Sequence, residues 1–272
     1  MATPIILEAH HLSVPPRIRE EVSFTLREGE RLCLYGQSGA GKTTLLRALL
    51  GLFRHHGEVV WYIPRHSAGY AAQRPRLIPR ATVLQQILWC AQLYGVSLSV
   101  HGSRIHELLD QWGLQRHKQR AVHRLSAGEQ AQLEMCCAMA VASRLLVVDG
   151  LLEQLGERER AVFWEEVDGR CARREMALLY ATHSAREAEL ADRVLLLHEG
   201  QMLALDTPEH LRAVASPAEV RLEPIRASDG AHTLQVYLER ESSSESGTQL
   251  VFRHMPTIED VLQILAKRGR LP

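Results

Sequence analysis

Residues 31–50 read RLCLYGQSGAGKTTLLRALL, and the middle of this run decides the fold. Gly36, Gln37, Ser38, Gly39, Ala40, Gly41, Lys42, Thr43 and Thr44 match GxxxxGK[ST] in full. An apolar strand-like stretch, residues 31–35, precedes the match. A helical pattern over residues 44–50 follows and is stopped by Gly51. Strand, glycine-rich turn and helix is the context this pattern needs to bind a phosphate. The glycines let the backbone wrap close to an anion, so that successive N–H groups and the helix N-terminus point at it. Lys42 brings a compact positive charge for the β- and γ-phosphates, and the Thr43 hydroxyl can ligate Mg²⁺.

Around this loop lies an ordinary globular composition. The chain has 272 residues, 46% of them apolar and 24% charged, with 32 basic and 32 acidic side chains. That length suits one large domain with a small appendage. The zero net charge argues against a dedicated nucleic-acid binder. No apolar run is long enough to cross a membrane as a helix, and the first residues show no basic leader ahead of an apolar stretch. The five cysteines form no CxxC pair, so they read as small apolar fillers in a reducing compartment. The histidine pairs His10–His11 and His55–His56 have no third ligand at metal spacing.

Strands are expected over residues 5–7, 22–26 and 31–35, with a turn over 27–30. A helix is expected over 82–94, where Val83, Ile87, Cys90 or Ala91 and Tyr94 share a face. Ser103 is expected to cap another, which carries Ile105, Leu108, Leu109 and Trp112 and stops at Gly113. Residues 145–148 and 177–180 are apolar almost throughout, as in strands of a parallel sheet covered on both faces. The class is therefore α/β with a helical insertion. In the tail, strands are expected over 233–238 and 249–252, flanking a polar loop, ERESSSESG, at 239–247. Residues 257–267 read as a closing amphipathic helix.

Three further segments carry chemistry. LSAGEQ at residues 125–130 opens a helix, with Ser126 and Glu129 spaced as a capping box. LLVVDG ends a buried strand at Asp149, the expected second Mg²⁺ carboxylate. ATHSAREAE ends another at His183, where Ser184 and Glu187 have the spacing of a further capping box.

The order GQSGAGKTT, AAQ, LSAGEQ, VVDG, ATH resembles the nucleotide-binding subunit of an ABC transporter over about residues 5–212. That resemblance implies an α/β P-loop NTPase (RecA-like) core with an N-terminal antiparallel β subdomain. A helical subdomain is inserted at about 80–140, and residues 213–272 form a small C-terminal α+β extension to the 1–212 ATPase domain. It implies ATP and Mg²⁺ as cofactors. Gln73 is the glutamine that contacts Mg²⁺ and the attacking water. Ser126 and Gly128 grip the γ-phosphate bound to the opposing subunit, and His183 is the switch histidine at the γ-phosphate. The metal would be held by Thr43, Gln73 and Asp149. Implied partners are integral membrane transport subunits and a second ATPase subunit, with a place on the cytoplasmic face of the membrane. TVLQQILWCAQLYGVS after Pro79 and PTIEDVLQIL near the C-terminus resemble segments of type-two ABC exporters.

The chain departs from that family at the carboxylate expected after Asp149, where it has Gly150. A positioned general base is worth ~10²–10⁴-fold, about 3–5 kcal/mol of barrier. Glu153 stands three residues on, and nothing in the spacing directs it to the water. Gly156 takes the place of a cross-dimer aspartate, and Gln132 and Cys137 stand at two positions the family gives to arginine. No aromatic lies between His10 and Glu21 to stack on adenine. Binding is expected to persist and hydrolysis at this site to be slow. That suggests a heterodimer with an intact paralogue, although a homodimer also fits. The alternative readings are a soluble ABC-type ATPase or assembly scaffold, and a nucleotide-sensing pseudo-ATPase without transport.

Overall fold

The computed structural model describes residues 3–96, 98–214, 219–226, 232–239 and 257–268. The expected strand at 249–252 and nearly all of the polar loop lie outside the described residues. Three strands, β1 (Ile5–Val14), β2 (Ile18–Arg27) and β4 (His56–Trp61), form an antiparallel sheet in the order β2-β1-β4. A second sheet has six strands: β3 (Arg31–Tyr35), β5 (Ala68–Ala71), β6 (Leu145–Asp149), β7 (Ala177–Thr182), β8 (Arg193–His198) and β9 (Gln201–Asp206). Their order is β5-β6-β7-β3-β8-β9. The first five run parallel, and β9 turns back antiparallel on β8.

β6 and β7 are buried along their whole length because both faces of the sheet are covered. Alternate side chains serve different cores. Leu146, Val148, Leu178 and Tyr180 face the helical side, whereas Leu145, Val147, Leu179 and Ala181 pack with β1, β2 and the helix α1 (Lys42–Leu49). The inserted helices α2 (Val83–Leu93), α3 (Leu98–Gln111) and α4 (Ala127–Val141) pack on one another. α2 starts at a capping box between Thr82 and Gln85 and buries Val83, Gln86, Ile87 and Ala91. α3 begins at Leu98 and not at Ser103: its apolar spacing marks the face that packs, which leaves the starting residue open.

Several elements were absent from the sequence reading. β4, β5, β8, β9 and the helix α5 (Glu157–Ala172) are among them. β8 and β9 had a usable cue, since Glu199 and Gly200 form a two-residue hairpin turn with both φ angles positive.

After the short helices α6 (Ala185–Ala188) and α7 (Pro208–Val214), β10 (Glu219–Arg226) pairs antiparallel with β11 (His232–Glu239). The expected strand at 233–238 thus pairs with a preceding strand. α8 (Ile258–Arg268) opens with Thr257 and Asp260 bonded reciprocally, backbone to side chain, at 2.7 and 3.3 Å. Its apolar face, Ile258, Val261, Leu262 and Leu265, is buried in the core on the helical side of the large sheet, in contact with α6, α7, β8 and β9. No described helix is long and apolar enough to cross a membrane.

Candidate functional site

The site lies at the carboxyl ends of four neighbouring strands, β5, β6, β7 and β3. Pairing matches Ala71 with Val148, Asp149 with Ala181, and Tyr35 with Thr182. Whatever follows each strand must therefore emerge side by side, as at a crevice of an open parallel sheet. Gln73 follows β5, Asp149 closes β6, His183 follows β7, and the glycine-rich loop follows β3. One cavity is lined by residues 38–44 of that loop together with Gln73, Asp149, Gly150, Thr182 and His183. The sequence-predicted residues from four separated segments thus meet.

Gly41 sits at the N-cap of α1 with φ 106, a backbone conformation that side-chain-bearing residues rarely adopt. α1 has no acidic residue in its first turn and no side-chain cap, which leaves its N-terminal field directed to an anion. The Lys42 ammonium donates to the carbonyls of Gly36 (2.5 Å) and Gln37 (2.9 Å). Burial lowers its proton affinity, while the carboxylates of Glu153 and Asp149 oppose that shift. The Thr43 hydroxyl donates to Asp149 Oδ1 at 2.7 Å, so two hard oxygen donors stand together, as Mg²⁺ requires. Tyr70 donates to the other oxygen, Oδ2, at 3.1 Å, and burial pushes its phenol up to about 12. The chemistry and placement of this set fit a magnesium nucleotide.

Ser126 and Gly128 lie outside this cavity. Ser126 caps α4 with both halves of its box formed: its Oγ accepts from Glu129 N at 3.2 Å, and its own N–H donates to Glu129 Oε2 at 2.8 Å. Gly128 has open space where a Cβ would be. The second expected box is only half formed. Ser184 Oγ accepts from Glu187 N at 3.4 Å, but the Glu187 carboxylate turns to the Thr182 hydroxyl at 2.7 Å. Buried Glu187 takes the nearer strong donor, and the Ser184 N–H bonds Thr182 Oγ1 instead.

Two residues, Glu134 and Arg17, were missed by the sequence reading, and a third, Glu153, was given no role by its spacing. Glu153 lines the cavity, and its Oε1 lies 2.6 Å from His183 Nδ1. Glu134, buried on α4, accepts from the backbone N–H groups of Ala72 and Arg76 at 3.2 Å each, holding the segment around Gln73. A glutamate on the inward face of a helix was the available cue. Arg17, in the turn between β1 and β2, lines the cavity beside Gly41 of the loop.

Residues 19–152 match the ABC transporter family. Among curated proteins, the chain is 34% identical over 201 residues to "Fe(3+) ions import ATP-binding protein FbpC" of Streptomyces avermitilis, covering 70% of this chain and 58% of that one. It is 28% identical over 213 residues to "Energy-coupling factor transporter ATP-binding protein EcfA1" of Geobacillus kaustophilus, covering 74% and 76%. A solved structure titled "Structure of ATP binding subunit of ABC transporter" shares the fold at TM-score 0.72 and 24% identity, over 77% of this chain and 92% of that one.

The chain carries an ABC transporter ATP-binding domain. The α/β P-loop fold, with its antiparallel β sheet and inserted helices, is that of the ABC ATPases. The chain spans about 58% of the length of the FbpC protein. The ABC family match ends at Leu152, one residue before the glutamate that reaches His183.

Proposed function

We propose that this chain is the ATP-binding subunit of an ABC-type transporter, acting on the cytoplasmic face of a membrane as half of a nucleotide-dependent dimer. The observation that carries the reading is the cavity in which the phosphate loop, Gln73, Asp149 and His183 meet while Ser126 and Gly128 lie outside it. Lys42 and the loop N–H groups hold the β- and γ-phosphates, and Thr43, Gln73 and Asp149 hold Mg²⁺. Ser126 and Gly128 serve the γ-phosphate bound to the opposing subunit, which their place outside this cavity favours.

Gly150 offers no carboxylate to a water, so this chain's own site binds ATP and turns it over slowly. The faster site belongs to a second ATPase subunit with an intact glutamate, completed in trans by Ser126 and Gly128. Integral membrane subunits dock beside Gln73 and α2, where Ile78, Trp89, Leu93 and Tyr94 are exposed. Export as the direction is supported by residues 82–97 and 256–265, whereas the two curated relatives carry the names of import and energy-coupling proteins.

The test is steady-state hydrolysis by the purified complex carrying single changes. Ser126→Arg abolishes activity by filling the partner's phosphate pocket, and Lys42→Ala costs less because it disables a slow site. Equal damage from the two, with dimerisation intact, overturns the asymmetric reading. Loss of ATP binding in Lys42→Ala, read by calorimetry on the chain itself, tests the phosphate loop.

A further inference from the structure

Glu153 stands at the start of a segment that the family match does not reach, on a 3₁₀ turn over residues 152–154. One of its carboxylate oxygens, Oε1, makes three contacts with the end of β7. It lies 2.6 Å from His183 Nδ1, accepts the His183 backbone N–H at 3.0 Å, and stands 3.3 Å from the Thr182 hydroxyl. The carboxylate lines the same cavity as Lys42 and Asp149. Among the charges felt by the Lys42 ammonium, it contributes more than Asp149 does. A negative group therefore returns to the phosphate end of the site, three residues after the position where Gly150 removes one.

Its bond to His183 has a defined chemical consequence. A carboxylate can only accept, so Nδ1 must carry the proton. In the neutral ring the other nitrogen, Nε2, is then an acceptor with its lone pair free, and the bond from the His183 backbone N–H to the same oxygen holds the residue in place. This is the arrangement in which a carboxylate sets the tautomer and orientation of a catalytic imidazole.

Resting on the nucleotide-binding reading above, we propose that Glu153 is a positioning residue that makes His183 the proton acceptor for hydrolysis at this site, in place of the glutamate that Gly150 lacks. Water attacks the γ-phosphorus and a new P–O bond forms. The bond from the γ-phosphorus to the β–γ bridging oxygen breaks, and ADP leaves with that electron pair. The proton of the attacking water passes to His183 Nε2, and the imidazolium keeps its Nδ1–H bonded to Glu153. Slow turnover at this site follows, since an exposed imidazole on a loop is a less rigid base than a carboxylate fixed at a strand end.

Two measurements on the full chain test this. In nitrogen-15 spectra of histidine-labelled protein without nucleotide, His183 is in the Nδ1–H form in the wild type. In Glu153→Ala it shifts toward the Nε2–H form, and Glu153→Asp restores it. In single-turnover phosphate release from ATP, Glu153→Ala is slower by about tenfold or more, Glu153→Asp recovers part of the rate, and His183→Ala is at least as slow as Glu153→Ala. ATP affinity by calorimetry does not weaken in Glu153→Ala, because the change removes a negative charge beside the phosphates. An unchanged tautomer, or an unchanged rate with ATP bound, overturns the proposal and leaves nucleotide binding standing. Wild-type release no faster than that of Lys42→Ala also overturns it. Failure of the wild type to bind ATP sinks instead the reading on which it rests.

Discussion

The side chain of Gln73 lies over the bare Cα of Gly150: a Cβ built there would meet Gln73 Nε2 at 3.4 Å and Cγ at 3.5 Å. Gly150 has φ +62, in the left-handed region, directly after the last residue of β6. The missing carboxylate is therefore more than a deleted side chain, because the backbone has taken a form that suits glycine. Gly150→Glu is expected to raise hydrolysis less than twofold and to cost roughly 1–2 kcal/mol of stability from the left-handed conformation. Steady-state ATPase rates and thermal melts check this. A gain of tenfold would show that the turn re-forms around the new side chain.

Glu134 ties helix α4 to the loop that carries Gln73. Burial raises its carboxyl above the ordinary range, and the two backbone bonds oppose that shift. Glu134→Ala leaves two N–H groups without their partner, worth about 1.5–3 kcal/mol for bonds to a charged acceptor. Faster amide exchange at residues 72 and 76, with little change in the β-sheet core, is the expected outcome.

Glu187 gives a pH dependence with a defined sign. Burial raises its folded carboxyl above the ordinary value, although the Thr182 hydroxyl works the other way. The folded state therefore holds the proton more tightly than the unfolded chain. Its contribution to stability is full below the ordinary value of 4.5 and is lost as pH rises through the raised folded value. Glu187→Gln cannot titrate and keeps an oxygen for Thr182. The stability of this variant relative to wild type should rise between about pH 4 and pH 7, followed by denaturant midpoints at each pH. A difference that stays flat with pH would contradict the assignment.

Leu262 is 2% exposed, within the face of α8 that packs into the core on the helical side of the large sheet. Leu262→Ala should cost about 2–4 kcal/mol through lost burial and the cavity left behind. Gln263→Ala, on the exposed face of the same helix, should change stability by less than about 0.5 kcal/mol. Denaturant unfolding of both variants decides whether α8 belongs to the ATPase core.

The local pattern made the phosphate loop legible, because its glycines, lysine and threonine act through backbone conformation and chain-adjacent groups. The apolar runs at β6 and β7 were legible for a similar reason: strands buried on both faces need apolar residues at every position. β4, β5 and α5 were less so. β4 is exposed or half-buried throughout, β5 has only four residues, and α5 buries just Phe163, Val167 and Cys171.

The sequence by itself determined the class of the domain, the glycine-rich loop between β3 and α1 and the strand ends beside which Asp149 and His183 stand. Only the tertiary structure decided what surrounds them. The order β5-β6-β7-β3 sets Gln73, Asp149, His183 and Lys42 around one cavity, and strand order follows from long-range pairing that no short window contains. Glu153 shows the difference most directly. Thirty residues separate it from His183 along the chain, yet its Oε1 sits 2.6 Å from the ring because parallel strands β6 and β7 end side by side. Spacing along a chain reports neighbours on one helix or strand, whereas a contact between two loops depends on which strands pair.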